Sequence, residues 1–227
     1  MRQRHASVQN KRGRTLAVRK GRVLIIHNKD TTDEIRRRLA AITQTFKLQP
    51  PANALMILSG ADPGSPRYTV LQCGATGTLE PAPEYAHIAR TIDAFTPDLV
   101  IFDSLVSMAG GKLSENSNSD MDTLIRTLHG LAARCSAANL TVHHTNKSKA
   151  DAAGDPTAAR GASAVTGAIR AGFTLVPVPD KTYQILGLSP GNYVRLDGTG
   201  SNYGRKDNHT YVWWIGSGPI GNGRRKQ

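Results

Sequence analysis

The segment Pro97-Asp98-Leu99-Val100-Ile101-Phe102-Asp103-Ser104 limits what this chain can fold into more than any other. Its run of four apolar residues is too short for a helix and suits a strand covered on both faces, as in a parallel sheet. Parallel strands need long crossover connections, usually helical, so this segment already predicts an α/β architecture. Asp103 stands at the carboxyl end of that strand, where open α/β sheets take their ligands. Its ordinary structural role would be to cap the next turn.

The same grammar recurs along the chain. Val23-Leu24-Ile25-Ile26-His27 reads as a buried strand, Asn28 to Thr32 as a turn, and the following helix carries Ile35, Leu39, Ile42 and Phe46 on one face. Thr31 with Glu34 resembles a capping box at its start. Pro50-Pro51 ends the unit. A strand over 54–58 leads into a Gly/Pro-rich turn, Asp62-Pro63-Gly64-Ser65-Pro66. Residues 68–78 fit an edge strand and a loop. A helix over about 82–95 uses Tyr85, Ile88, Ile92 and Phe95. Another, capped near Ser119, uses Met121, Leu124, Ile125, Leu128, Leu131 and Cys135. Leu140-Thr141-Val142-His143-His144 reads as a strand ending in paired histidines. A short helix over 162–169 and a strand over 172–178 follow, then short strands at 193–196 and 211–215. The expected fold is α/β, a mostly parallel sheet flanked by helices with antiparallel C-terminal strands.

A length of 227 residues fits one such domain or two small ones. The formal net charge of +12 is concentrated at the ends. Arg2, Arg4, Lys11, Arg12, Arg14, Arg19, Lys20 and Arg22 precede the first acid, Asp30, and Arg224, Arg225 and Lys226 close the chain. The expected organisation is therefore a basic segment over 1–20, a core over 21–216 and a basic tail over 217–227. Such clusters attract polyanions and strengthen weak nucleic-acid contacts in a salt-dependent way; solvated termini account for them equally well. Aromatic residues at 5% argue against a dedicated base-stacking platform. Cys73 and Cys135 form no motif, and no apolar run suits a signal peptide or a bilayer span, which points to a reducing cytoplasmic compartment.

Several segments, in order, resemble the RecA-like P-loop ATPases of the plasmid RepA type, a hexameric replicative-helicase family with an AAA-like ATPase domain. Gly21–Ile26 with Asp30 and Glu34–Leu39 resembles that family's second strand, acidic turn and Arg-rich helix. Pro97–Ser104 resembles its Walker B strand, Val142-His143-His144-Thr145-Asn146-Lys147-Ser148 its histidine segment, and Arg160-Gly161-Ala162-Ser163-Ala164 its arginine segment. Asn202-Tyr203-Gly204 resembles a late turn. The resemblance implies ATP and Mg²⁺ as cofactors, with Asp103 as the acid that holds Mg²⁺ directly or through water. Ser104 and Asp30 would lie beside the nucleotide. His144 would be a γ-phosphate sensor, since imidazole donates to anions near neutral pH. Arg160 would be an arginine finger reaching across a subunit interface, a task suited to a permanently charged fork of donors. DNA and further copies of the chain, as a hexameric ring, are the implied partners. Zinc at the paired histidines is not expected, because no second ligand cluster accompanies them.

The chain departs from that family in three places. No Gly-x-x-x-x-Gly-Lys-Ser/Thr occurs, and Gly60–Gly64 lacks both the lysine and the spacing. The family's first strand and phosphate loop thus have no counterpart, which suggests an N-terminally truncated copy. The water-activating glutamate aligns with Lys29, and an ammonium is a poor base. Gly200 replaces a lysine before the late turn. The expected function is a RepA-like ATPase-family protein of DNA replication or recombination, deficient in ATP binding and hydrolysis as it stands. The alternative is a non-catalytic relative that binds nucleic acid or modulates an oligomer. Without the first strand, unpaired backbone and apolar surface are expected beside the remaining strands.

Overall fold

The computed structural model describes residues 5–9, 15–111, 113, 117–144, 165, 167–177, 184–185, 193–201 and 209–213. Within the stretch expected to be a basic segment, β1 (His5–Gln9) and β2 (Thr15–Arg19) pair as an antiparallel hairpin. There follow β3 (Val23–His27), α1 (Thr32–Phe46), β4 (Leu55–Ser59), β5 (Leu71–Cys73) and β6 (Leu79–Pro81). Next come α2 (Tyr85–Phe95), β7 (Leu99–Asp103), a 3-10 turn (Leu105–Met108), β8 (Ala109–Gly110) and α3 (Asn118–Ala133). β9 (Ala138–Val142), β10 (Ala171–Pro177), β11 (Tyr193–Ser201) and β12 (His209–Trp213) complete the described elements.

The central sheet has the order β4-β3-β7-β9, with every pair parallel. β10, β11 and β12 form an antiparallel sheet. This is the α/β, mostly parallel, RecA-like architecture with antiparallel C-terminal strands. A small sheet, β6-β5-β8, occupies the stretch that the sequence pattern leaves ambiguous.

Local chemistry sets the helix ends. Thr31 caps α1 by accepting the Glu34 amide at 3.3 Å, and Lys47 ends it in the left-handed region at φ 52°. Ser117, two residues before the expected Ser119, caps α3 through the Asp120 amide at 3.3 Å. β9 stops at Val142, so both histidines lie beyond the last ladder pair rather than inside the strand.

The core lies on one face of the sheet. Leu24, Ile26, Val100 and Phe102 pack with Ile88 and Ile92 of α2 and with Met121, Leu124, Leu128 and Leu131 of α3, all fully buried. The step from β3 to β4 runs opposite to the step from β7 to β9. Right-handed crossovers therefore place α1 on the other face. There the expected apolar stripe of α1 buries nothing fully: Phe46 is 59% and Ile42 46% exposed. Leu140 and Val142 of β9 are also exposed, and β9 pairs only with β7 among the described residues. No helix among those residues is long and apolar enough to cross a membrane.

Candidate functional site

The order of the central sheet decides where a ligand can sit. From β3 the chain passes through α1 to β4 on one side, then returns past β3 to β7 on the other. The direction reverses between β3 and β7, and the carboxyl ends of strands flanking such a reversal open a crevice. In register across that edge stand Ser59, His27, Asp103 and Val142.

Asp103 is half-buried at the end of β7. Ser104 follows through a cis peptide and is buried. Its amide donates to Ser107 Oγ at 2.9 Å, and Ser107 Oγ donates back to the Ser104 carbonyl at 2.8 Å. Ser104 thus turns the chain out of β7, which leaves Asp103 as the acid presented there.

Lys29 Nζ donates to His144 Nε2 at 2.8 Å. β3 and β9 are not neighbours, since β7 runs between them. The lysine therefore reaches across the end of β7 to the residue beyond β9. An ammonium can only donate, so Nε2 accepts and the ring proton sits on Nδ1. The acid next to Lys29 is engaged elsewhere. Asp30 Oδ2 accepts from Arg38 Nη1 at 2.8 Å, and the Asp30 carbonyl accepts from Ser59 Oγ at 2.6 Å.

His27 is the buried member of the row, 2% exposed. Its Nδ1 accepts the Asp30 amide at 3.4 Å, which leaves the proton on Nε2, and that atom has no hydrogen-bond partner among the described residues. Burial pushes the imidazole below its ordinary pKa, against the opposing pull of the Asp103, Asp30 and Asp62 carboxylates. Asp62 accepts from the Thr32 amide at 2.7 Å and from Thr32 Oγ1 at 2.5 Å, and these bonds hold its carboxyl below the usual range. The positive end of α1 is thereby supplied with an anion from within the chain.

Asn28 fastens the crevice. Its Nδ2 donates to the carbonyls of Tyr68, at 2.8 Å, and Ser107, at 3.0 Å, while Oδ1 accepts the Tyr68 amide at 2.8 Å. One side chain so ties the end of β3 to the loops after β4 and β7. Gly60 is needed beside it, because a Cβ there would overlap Asn28 Oδ1.

Of the residues expected from sequence, Asp103, Lys29 and His144 come together at this edge. Asp30 and Ser104 lie nearby with structural partners, and Arg160 falls outside the described residues. His27, Asn28 and Asp62 belong to the same assembly, although no motif singles them out. Of the three, only His27 has a sequence signal, its position immediately after the apolar run Val23–Ile26. Among the described residues no three His, Cys, Asp or Glu side chains converge to hold a metal.

Together these features define a doubly wound α/β protein with a cluster of polar residues at the carboxyl ends of β3 and β7. The chain belongs to the AAA domain family, whose model matches residues 5–150. Among solved structures, one ATPase domain is similar to it in fold, with a TM-score of 0.54 and 12% sequence identity, over 86% of this chain and 72% of that one. None of the curated proteins matches it.

Proposed function

We propose that the chain is a RepA-like ATPase-family protein of DNA replication or recombination that holds nucleotide phosphates at the end of β7 and does not hydrolyse ATP by itself. One observation carries this: Asp103 is a half-buried carboxylate on an inner parallel strand, beside the point where strand order reverses. Mg²⁺ entering with the phosphates would be held by Asp103 and would neutralise charge on their oxygens. His144 suits the sensing of the terminal phosphate. Arg160 suits the neighbouring subunit's phosphates, in a ring of copies. Membership of the AAA domain family and the fold shared with a solved ATPase domain support this reading.

The lack of hydrolysis follows from Lys29. A protonated amine cannot take a proton from attacking water. Asp30 cannot readily substitute, since it is paired with Arg38 at 2.8 Å. ATP binding is weak, because none of the 227 residues forms a Gly-x-x-x-x-Gly-Lys-Ser/Thr loop to cradle the phosphates. The net charge of +12 supports DNA as the polyanionic partner. It also favours a second reading, a non-catalytic nucleic-acid-binding relative that keeps the scaffold.

A turnover assay with and without single-stranded DNA tests the proposal. Phosphate release should stay at background under both conditions. Robust release abolished by Asp103→Ala would overturn the lack of hydrolysis. DNA binding indifferent to both ATP and Asp103→Ala would select the second reading.

A further inference from the structure

The Lys29–His144 hydrogen bond joins two basic side chains that have no electrostatic reason to meet. Both are exposed, and they lie 115 residues apart in sequence. Neither belongs to the core. Their contact crosses the end of β7, over the exit of the strand that carries Asp103. At the end of β3, His27 keeps a proton on a buried Nε2 that finds no acceptor among the described residues. Donors of two kinds, one exposed and charged and one buried and neutral, are thus set around the same strand end.

We propose that Lys29 and His144 form a phosphate gate, in which the Lys29 ammonium exchanges His144 Nε2 for an oxygen of a nucleotide's polyphosphate chain. A phosphate oxygen carries negative charge, and a charge-assisted hydrogen bond to it is stronger than one to a neutral imidazole. The exchange costs little structure, because the long lysine stem pivots on the exposed edge while β3 stays fixed. It also releases His144 Nε2, so arrival of the anion is felt at the end of β9. An acid selects the ligand. Asp103 at the strand end repels an extended phosphodiester strand, whereas a short polyphosphate chain brings its own divalent cation to that carboxylate. Lys29, where an acid would activate water, therefore makes the crevice one that grips phosphate and leaves it intact. The proposal rests on the preceding reading that this edge takes nucleotide phosphates.

The test uses the full chain and inorganic tripolyphosphate in the presence of Mg²⁺. Binding is followed by calorimetry and the His144 ring by side-chain ¹⁵N resonances. Lys29→Met should weaken tripolyphosphate about tenfold, and Lys29→Arg should keep affinity within about twofold, since one charge-assisted bond is at stake. Tripolyphosphate should shift the His144 Nε2 resonance in the wild type and not in Lys29→Met. Undiminished binding by Lys29→Met, or a His144 resonance that never moves, would overturn the gate. Displacement of tripolyphosphate by a single-stranded oligonucleotide acting through Lys29 would overturn the assignment to a nucleotide chain. Failure of the gate is separable from failure of the nucleotide site. If Asp103→Asn abolishes binding of Mg·ATP while Lys29→Met leaves tripolyphosphate unaffected, the gate alone is wrong. If tripolyphosphate depends on Lys29 while Mg·ATP ignores Asp103, the nucleotide-site reading is wrong and the assignment of the gate to a nucleotide falls with it.

Discussion

His27 and Asp103 are register partners on adjacent parallel strands, so a buried imidazole and a half-buried carboxylate share the strand ends where the sheet reverses direction. Burial outweighs the nearby carboxylates and keeps His27 below its ordinary pKa. The unfolded chain takes up this proton near pH 6.5, before the folded chain does. Stability is therefore complete above that pH and is lost as pH falls below it, at most by about 1.4 kcal/mol per pH unit for one proton. Urea melts from pH 7.5 to 5 should show this slope, and His27→Gln should flatten it. An unchanged slope in that variant would place the titration elsewhere.

Asp62 gives a second, lower window. Its carboxyl is held below the usual range by hydrogen bonds from Thr32, so its contribution is present above about pH 4 and lost as pH falls further. Asp62→Asn should lower Tm by a few degrees at pH 7, and the difference should close toward pH 3. Thermal scans followed by circular dichroism at the two pH values check this.

Asn28 joins three segments through three hydrogen bonds. Asn28→Ala leaves those part-buried backbone groups without their partner and should destabilise the fold by about 2–4 kcal/mol. Gly60→Ala should cost about 1–3 kcal/mol, because its Cβ displaces the same side chain. Combined, the two losses should fall short of their sum, since both act on one set of bonds. Denaturant unfolding of the two single variants and the double variant measures the shortfall.

The outer edge of β9 predicts association. Leu140 is 48% exposed beside a strand that pairs on one side only among the described residues. Exposed apolar edges template pairing with other chains. Sedimentation velocity should show concentration-dependent species, reduced by Leu140→Lys with a stability change under about 0.5 kcal/mol.

The strands were legible because apolar runs bounded by turn residues report burial on both faces. Asp103 could be placed in advance because such a run ends on it. α1 shows the limit of that signal. Its stripe of Ile35, Leu39, Ile42 and Phe46 states what the helix could bury, while burial depends on what sheet lies beneath it, and no α1 residue is buried. Asn28 was illegible for another reason: a lone polar residue in a turn has no periodicity, and its partners lie 40 and 79 residues away. The Lys29–His144 contact depends on the strand order β3-β7-β9, which no local pattern encodes. The N-terminal hairpin was hidden by charge, since basic residues around β1 and β2 mask their short alternation.

Calorimetric titration of Mg·ATP into the wild-type chain and Asp103→Asn tests the nucleotide site most directly. Weak, Mg²⁺-dependent binding that falls at least about tenfold in Asp103→Asn is predicted, as expected for loss of a metal-holding carboxylate. Equal binding by the two proteins, or binding unaffected by removal of Mg²⁺, would contradict it.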